Sequence, residues 1–242
     1  GVVLMRAAGC VMNDIADRDF DPHVERTRCR PLAAGELTLN QALTLFFPLM
    51  LLAFLLVLMT NALTVKLAFA GAALAASYPF FKRVTHLPQV VLGVAFGWGI
   101  PMAFAAETNA IPAIAWWFLA INTVWSVIYD TLYAMVDRED DMAVGVKSTA
   151  ILFGRHDVTV TGILMVVMGA MLVVAGAWLE LDWPWYAGVL AVVVLWVRQM
   201  ISVRGRDRDA CFRAFLNNNW VGVAILLGLF FHFLLNGAYY PG

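Results

Sequence analysis

The sequence predicts an all-α, polytopic transmembrane helical bundle, and three observations carry that expectation. Of its 242 residues, 62% are hydrophobic and only 14% are charged, against about 45–50% apolar and about a quarter charged in a soluble domain. The apolar residues recur in stretches close to the roughly 20 residues that a membrane helix needs. The cations gather in alternate connections between those stretches, the arrangement that the positive-inside rule describes. The mean hydropathy of +0.78 agrees. The net charge of −1 decides nothing about partners, because it is the distribution that matters, and no nucleic-acid or obligate protein partner is indicated.

Taken in order, the candidate spans cover about residues 1–16, 42–59, 64–81, 88–106, 112–130, 158–179, 184–203 and 219–237, eight in all. The chain opens at Gly1 inside an apolar stretch, with no Met and no charged lead. We therefore expect no signal peptide, and a true N-terminus with one or more spans lying upstream. The connections alternate in length. Thr60–Leu63, Glu107–Ile111 and Glu180–Trp183 are short, whereas Asp17–Gln41, Lys82–Leu87, Val136–Asp157 and Arg204–Asn218 are longer. The longer set holds or borders Arg18, Arg26, Arg28, Arg30, Lys82, Arg83, Arg138, Lys147, Arg155, Arg198, Arg204, Arg206, Arg208 and Arg213. Lys66 lies near the opposite face, and Arg6 lies within a span. The longer connections are thus expected on the cytoplasmic side. Trp116, Trp117, Trp178, Trp183, Trp185 and Tyr186 are expected as an interfacial belt at the other face. No connection is long enough for a second domain, so residues 1–242 read as one transmembrane domain, incomplete at its N-terminus.

Two acidic clusters interrupt this apolar pattern. The first runs Asn13-Asp14-Ile15-Ala16-Asp17-Arg18-Asp19-Phe20-Asp21, and the second runs from Asp130 to Asp141. Carboxylates at the edge of a membrane span cost free energy unless a cation compensates them. Asn13, Asp17 and Asp21 are four apart; Asp130, Asp137 and Asp141 are seven and four apart. If the helices continue, each set forms a column of oxygen ligands on one face. Mg²⁺ takes a few carboxylates together with water and phosphate oxygens, so two facing columns suit a metal-bridged diphosphate. Asp14, Asp19 and Asp140 fall off those faces and are expected to be solvated or to cap helices. The alternative for either cluster alone is a polar helix end. An EF-hand over Asp17, Asp19 and Asp21 is excluded, because Pro22 stands where the loop needs Gly and Arg28 where it needs Glu.

Cationic and polar partners follow. Arg6 precedes Asp17 on the first span, Tyr78 and Lys82 are one turn apart at a span end, Lys147 follows the second cluster, and Arg26, Arg28 and Arg30 crowd the first long connection. Guanidinium groups grip carboxylate or phosphate in a forked geometry, and Lys adds a point charge. For the loop arginines, a purely topological role stays open. Cys10, Cys29 and Cys211 are odd in number and widely spaced, with no disulfide or zinc pattern. His23, His86, His156 and His232 show no ligand or triad spacing. Gly93, Gly97 and Gly99 are spaced for a helix–helix contact.

With both clusters in hand, the sequence resembles the UbiA superfamily of intramembrane prenyltransferases. Asn13, Asp14, Asp17 and Asp21 match the family's NDxxDxxxD motif, and Asp130, Asp137 and Asp141 match its second. The stretches Arg26–Thr38, Tyr78–Arg83 and Tyr129–Gly154 are similar to the branch of bacterial 4-hydroxybenzoate polyprenyltransferases. The resemblance implies nine membrane helices, so the first is expected to be missing from the eight counted here. It implies a Mg²⁺-dependent transferase of the bacterial cell inner membrane, with its active site facing the cytoplasm. That enzyme joins a polyprenyl diphosphate to the ring of 4-hydroxybenzoate, ortho to the hydroxyl, in ubiquinone biosynthesis. On this footing Asn13, Asp17, Asp21, Asp137 and Asp141 are expected to hold Mg²⁺, and Arg30, Lys82 and Lys147 to meet the diphosphate. Arg6 and Tyr78 would orient the aromatic acid or balance charge. Asp130 would orient a neighbouring group or join the final deprotonation, and the isoprenoid tail would lie among membrane lipids. Haem O synthases, naphthoate prenyltransferases and chlorophyll synthases share the acidic motifs and stay open as alternatives. A membrane CDP-alcohol phosphotransferase would need a DGxxAR segment, which is absent. A cation transporter is disfavoured because the acids sit at span ends, whereas transporters bind near the midplane.

Overall fold

A computed structural model describes residues 1–23 and 27–237, apart from the side chains of Lys82 and Val144. Arg26 therefore lies outside the described residues. The described residues form eleven α-helices and two short 3-10 turns, with no strand among them. The helices are α1 Val2–Asp17, α2 Leu39–Leu58, α3 Ala62–Val84, α4 Pro88–Gly97, α5 Gly99–Thr108 and α6 Ala113–Val136. They continue with α7 Arg138–Val144, α8 Thr149–Phe153, α9 Asp157–Trp178, α10 Trp183–Ser202 and α11 Arg208–Asn236. Seven segments of this set are long and apolar enough to cross a membrane. The stretch expected as the first of eight spans is α1, a helix of 16 residues that falls short by length. The protein is a multi-pass, all-helical membrane protein.

Local sequence sets the helix ends. Thr38 caps α2 through a reciprocal box with Gln41, which satisfies two otherwise orphaned donors. Asn61 caps α3 and also donates from Nδ2 to the carbonyl of Ala105, fastening the α2–α3 turn to the end of α5. The span expected over 88–106 is broken at Trp98 into α4 and α5, and the Trp98 Nε1 donates to Leu67 O on α3 at 2.9 Å.

α6 is the central helix. It packs against α4, α5, α8, α9 and α11, and Ile121, Ile128, Leu132 and Met135 are buried along it. Ile121 and Ile128 join Met168 and Leu172 of α9, Trp185 and Val192 of α10 and Val221 of α11 in the main core. Leu132 and Met135 join Ala150, Val203, Cys211 and Ala214 in a second core under the acidic end. The α4–α6 contact brings backbones together. A Cβ on Gly93 would stand 2.8 Å from Thr123 Cα, and one on Gly97 would stand 2.6 Å from Asn122 Nδ2. Asn122 uses that proximity to donate to Gly93 O. Gly99, expected in the same contact, faces nothing within 4 Å.

The outer helices are apolar outwards. Leu45, Phe47, Leu51 and Leu55 of α2 and Val166, Leu190 and Leu226 of α9–α11 are exposed, as a lipid-facing surface requires. Trp116, Trp178, Trp183 and Tyr186 are exposed around the α5–α6 and α9–α10 turns, where the belt was expected. Trp185 is a correction: it is buried in the main core and donates to Leu172 O. Trp117 likewise donates inward, to Met171 O.

Candidate functional site

The first acidic segment does not form the single helical column expected from its spacing. α1 ends at Asp17, and the chain turns, with Asp21 opening a 3-10 turn over Asp21–His23. Asn13 and Asp17 remain four apart on α1, whereas Asp21 arrives from a separate direction. Asp17 and Asp21 are both buried. Arg30 returns from the following connection and bridges two of these acids, with its Nη1 3.0 Å from Asp14 Oδ1 and 3.1 Å from Asp21 Oδ2. Asp14, expected to be solvated, is therefore part of the constellation. Burial raises the Asp21 carboxyl above its ordinary range, against the pull of Arg30 and Thr27.

The second segment is also bent. α6 carries Asp130, half-buried, and stops at Val136; Asp137 forms the corner, and Asp141 lies on the separate helix α7. The continuous face predicted for Asp130, Asp137 and Asp141 is thus broken at Asp137. Glu139, Asp140 and Asp141 occupy the first turn of α7, where the helix dipole favours negative charge. Gly145 closes α7 in the left-handed conformation, φ 75°, which glycine adopts without a steric penalty.

Tyr78 joins the two segments. Its hydroxyl donates to Asn13 Oδ1 at 3.4 Å, and it interacts electrostatically with Asp17, Asp130 and Arg30. Helices α1, α3 and α6 thereby contribute to one polar site. Tyr129 on α6 interacts electrostatically with Asp130 and with Arg6, an exposed residue of α1. Pro79, between Tyr78 and Lys82, removes one backbone donor from the helix at this point. The Lys82 side chain lies outside the described residues.

Two cations have partners that the sequence did not suggest. Lys147 was expected on a diphosphate. Its Nζ instead donates to Val84 O at 3.1 Å, satisfying a carbonyl left open at the end of α3. Arg83 was counted only among the cations of the longer connections. Its Nη2 donates to Ala16 O at 2.5 Å, and its guanidinium lies 4.7 Å from the centre of the Phe20 ring. Arg83 therefore holds the turn between Asp17 and Asp21.

Sequence reasoning also missed the framework behind the second segment. Asp157, fully buried at the start of α9, accepts hydrogen bonds from Arg138 and Arg206. Arg138 Nη2 also donates to the carbonyls of Ala150 and Gly154. Thr131 on α6 and Thr149 on α8 share a hydrogen bond of 2.6 Å, and Thr149 N donates to Gln89 Oε1 on α4. The available signal was a lone acid, Asp157, at the head of an apolar span beside an excess of arginine.

The donor chemistry fits a divalent metal supplied with its substrate. Among the described residues, no three His, Cys, Asp or Glu side chains are grouped as a ready metal cage. Mg²⁺ needs none, because one or two carboxylates and substrate phosphates satisfy it. Asp14 interacts unfavourably with both Asp17 and Asp21, and Arg30 offsets this in part, so the first segment holds closely spaced acids that an added cation would relieve.

Comparison with known proteins agrees with this geometry. The model of the UbiA prenyltransferase family matches residues 1–236. The chain is 56% identical to the 4-hydroxybenzoate octaprenyltransferase of Methylococcus capsulatus, over 98% of this chain and 81% of that protein. It is 53% identical to the protein of the same name from Psychromonas ingrahamii, over 97% and 82%. Among solved structures, the apo UbiA homolog from Aeropyrum pernix K1 is similar in fold, with TM-score 0.81 at 22% identity over 94% of this chain and 86% of that one. A UbiA homolog from Archaeoglobus fulgidus bound to GPP and Mg²⁺ is similar with TM-score 0.60 at 14% identity, over 99% and 77%. With a family model matched over nearly its whole length and relatives above half identity, the chain belongs to the UbiA prenyltransferase family.

Proposed function

We propose that this protein transfers a polyprenyl group from a polyprenyl diphosphate to the ring carbon of 4-hydroxybenzoate ortho to its hydroxyl, as a step of ubiquinone biosynthesis. The observation that carries this reading is the gathering of Asn13 and Asp17 of the first acidic segment and Asp130 of the second around Tyr78. The relatives' names supply the acceptor, and the neighbour bound to GPP and Mg²⁺ supports the donor class and the metal.

In this reading Asn13, Asp17, Asp21, Asp137 and Asp141 would hold two Mg²⁺ ions. Bound there, Mg²⁺ neutralises the diphosphate and stabilises the charge that grows as the allylic C–O bond breaks. Lys82 adds a point charge to the same polyanion. Arg30, already between Asp14 and Asp21, keeps the first segment's carboxylates directed together. Lys147 serves from its place on Val84 O, by fixing the end of α3 that carries Lys82. Tyr78 and Arg6 orient the aromatic acid. The ring carbon attacks the allylic carbon, diphosphate departs, and Asp130 accepts or directs the displaced ring proton. The allylic cation would need apolar and aromatic surroundings, because water would otherwise capture it.

The direct test incubates membranes containing the protein with 4-hydroxybenzoate, geranyl diphosphate and Mg²⁺. The expected product has the mass of geranylated 4-hydroxybenzoate and disappears with a chelator. Geranyl transfer to a naphthoate acceptor and none to 4-hydroxybenzoate would move the protein to another branch of the family.

The site opens to the cytoplasm of a bacterial inner membrane, a reading supported by the arginine-rich connections at the acidic end. Glu36 is exposed in the first of these. In a background without Cys10, Cys29 and Cys211, Glu36→Cys should react with an impermeant thiol reagent only in inverted vesicles. Labelling in intact cells would reverse the orientation.

A further inference from the structure

We propose that Asp157 is a positioning residue for the second acidic segment, acting through Arg138 on the corner at Asp137; the proposal rests on the functional reading above. Arg138 is the peptide neighbour of Asp137 and the first residue of α7. Where its side chain goes, the corner between α6 and α7 must follow. That side chain is directed inward to three acceptors: Asp157 Oδ2, Ala150 O at 2.6 Å and Gly154 O at 3.2 Å. The two carbonyls lie on and just past the short helix α8, which closes the connection carrying the second motif. Arg138 thus draws the beginning of α7 and the end of α8 onto the head of α9.

Asp157 is what makes that inward direction favourable. It is fully buried, and an arginine buried without a carboxylate would be strongly penalised. Its own orientation is fixed from two other sides. Val158 N donates to its Oδ1, and Arg206 approaches with Nε at 3.0 Å and Nη2 at 2.8 Å. Arg206 has φ 54°, a left-handed backbone that non-glycine residues seldom adopt, and it also donates to Arg155 O. The two arginines therefore have different tasks. Arg138 links Asp157 to the acidic segment through the chain itself, whereas Arg206 links it to the α10–α11 connection. Groups that orient metal ligands typically change metal affinity 10–100-fold when removed, and Asp157 acts at one further remove.

The test uses the purified protein in detergent and follows its unfolding temperature against Mg²⁺ at fixed geranyl diphosphate. Asp157→Asn should raise the Mg²⁺ concentration for half-maximal stabilisation by roughly tenfold, with a matching shift in the Mg²⁺ dependence of turnover. Arg138→Lys should move the midpoint in the same direction, because the ammonium keeps the charge but ends short of the place where Nη2 meets all three acceptors. This variant decides the matter if Asp157→Asn does not fold. Arg206→Gln should lower the unfolding temperature and move the midpoint less than either of these variants, because Arg138 still joins Asp157 to the corner. An unmoved midpoint in folded Asp157→Asn, or in Arg138→Lys, would reduce the buried network to a stability device and overturn the proposal. No stabilisation of the wild-type protein by Mg²⁺ and geranyl diphosphate would instead overturn the functional reading, and this proposal with it.

Discussion

The two acidic segments present similar carboxylates on different supports. The first is held by side chains that reach across open connections: Arg30 between Asp14 and Asp21, with about 31% of its side chain exposed, and Arg83 on Ala16 O. The second is held from beneath, by Arg138 on the buried Asp157, the Thr131–Thr149 hydrogen bond and the core around Leu132 and Met135. Arg30 and Arg138 are both part-buried, so the difference rests on Asp157, which is fully buried, and on the core packed beneath it: leaving a buried carboxylate without its partner costs more than loosening a partly exposed pair, which contributes about 0–1 kcal/mol. The second segment is therefore a preformed half-site, and the first is the half that substrate and metal complete. The end of α3 connects them, since Arg83 grips the first segment and Val84 O receives Lys147 from the second.

The largest effects should come from the carboxylates themselves, and they should be equal on the two sides. Asp17→Asn and Asp137→Asn each remove a proposed metal ligand at a buried position. Loss of such a charge at a metal-bound diphosphate should lower turnover by more than about 10²-fold, with the protein still folded in detergent. Their difference should lie in rescue. High Mg²⁺ should recover more activity in Asp17→Asn, where the support is adaptable, than in Asp137→Asn. Near-wild-type rates for either variant would remove that residue from the site, and equal rescue would erase the distinction between the two halves.

Smaller effects should follow from the α3 end, where sequence and structure disagree most usefully. Arg83 reads in the sequence as a topology charge, and its substitution would then be silent. The structure gives it a helix carbonyl and the Phe20 ring, both within the first segment. Arg83→Gln should therefore weaken turnover about tenfold through the orientation of Asp17 and Asp21, a loss near the 1.4 kcal/mol that a charge-assisted hydrogen bond contributes. Lys82→Gln should instead raise the KM for the prenyl diphosphate more than that for the acceptor, because a point charge acts mainly on the polyanion. Measuring both KM values in both variants separates a support from a substrate contact. A silent Arg83→Gln would shift the support of the first segment to Arg30, Thr27 and Tyr78.

The contrast also shows what the sequence could reveal. Hydropathy and loop charge place seven of the eight spans, because burial in lipid demands long apolar runs whatever the neighbours are. The family motifs identify the acids, because the chemistry fixes residue type and spacing. The same spacing misstates their geometry: helical periodicity would put Asp21 and Asp141 in line with their partners, but the chain turns after Asp17 and again at Asp137. Those turns are set by residues distant in sequence, Arg30 and Arg83 for one and Asp157 for the other. Trp185 fails as a belt residue for a related reason. An interfacial position and a core position at a span end look alike until the Leu172 carbonyl that accepts its indole N–H is known.

The smallest effect should fall at Arg208, which tests whether the second segment is really held from within. Its Nη2 lies 2.8 Å from Asp140 Oδ2, and its Nε donates to Val136 O at the end of α6. Arg208 thus touches the same corner as Arg138, but from the solvent side, with 47% of its side chain exposed. Water can replace what Arg208 supplies, both to the carboxylate and to the carbonyl, so the net contribution should stay near the exposed limit of about 1 kcal/mol or less. Arg208→Gln should accordingly change turnover by less than about threefold and leave the Mg²⁺ midpoint where it is in the wild-type protein. The informative comparison is with Asp157→Asn under the same assay. If the two variants lose activity alike, and both shift the Mg²⁺ dependence, then the corner at Asp137 is held by its surface as much as by its core. The second segment would then be as adaptable as the first, and the asymmetry between the two half-sites would have to be sought in their ligands.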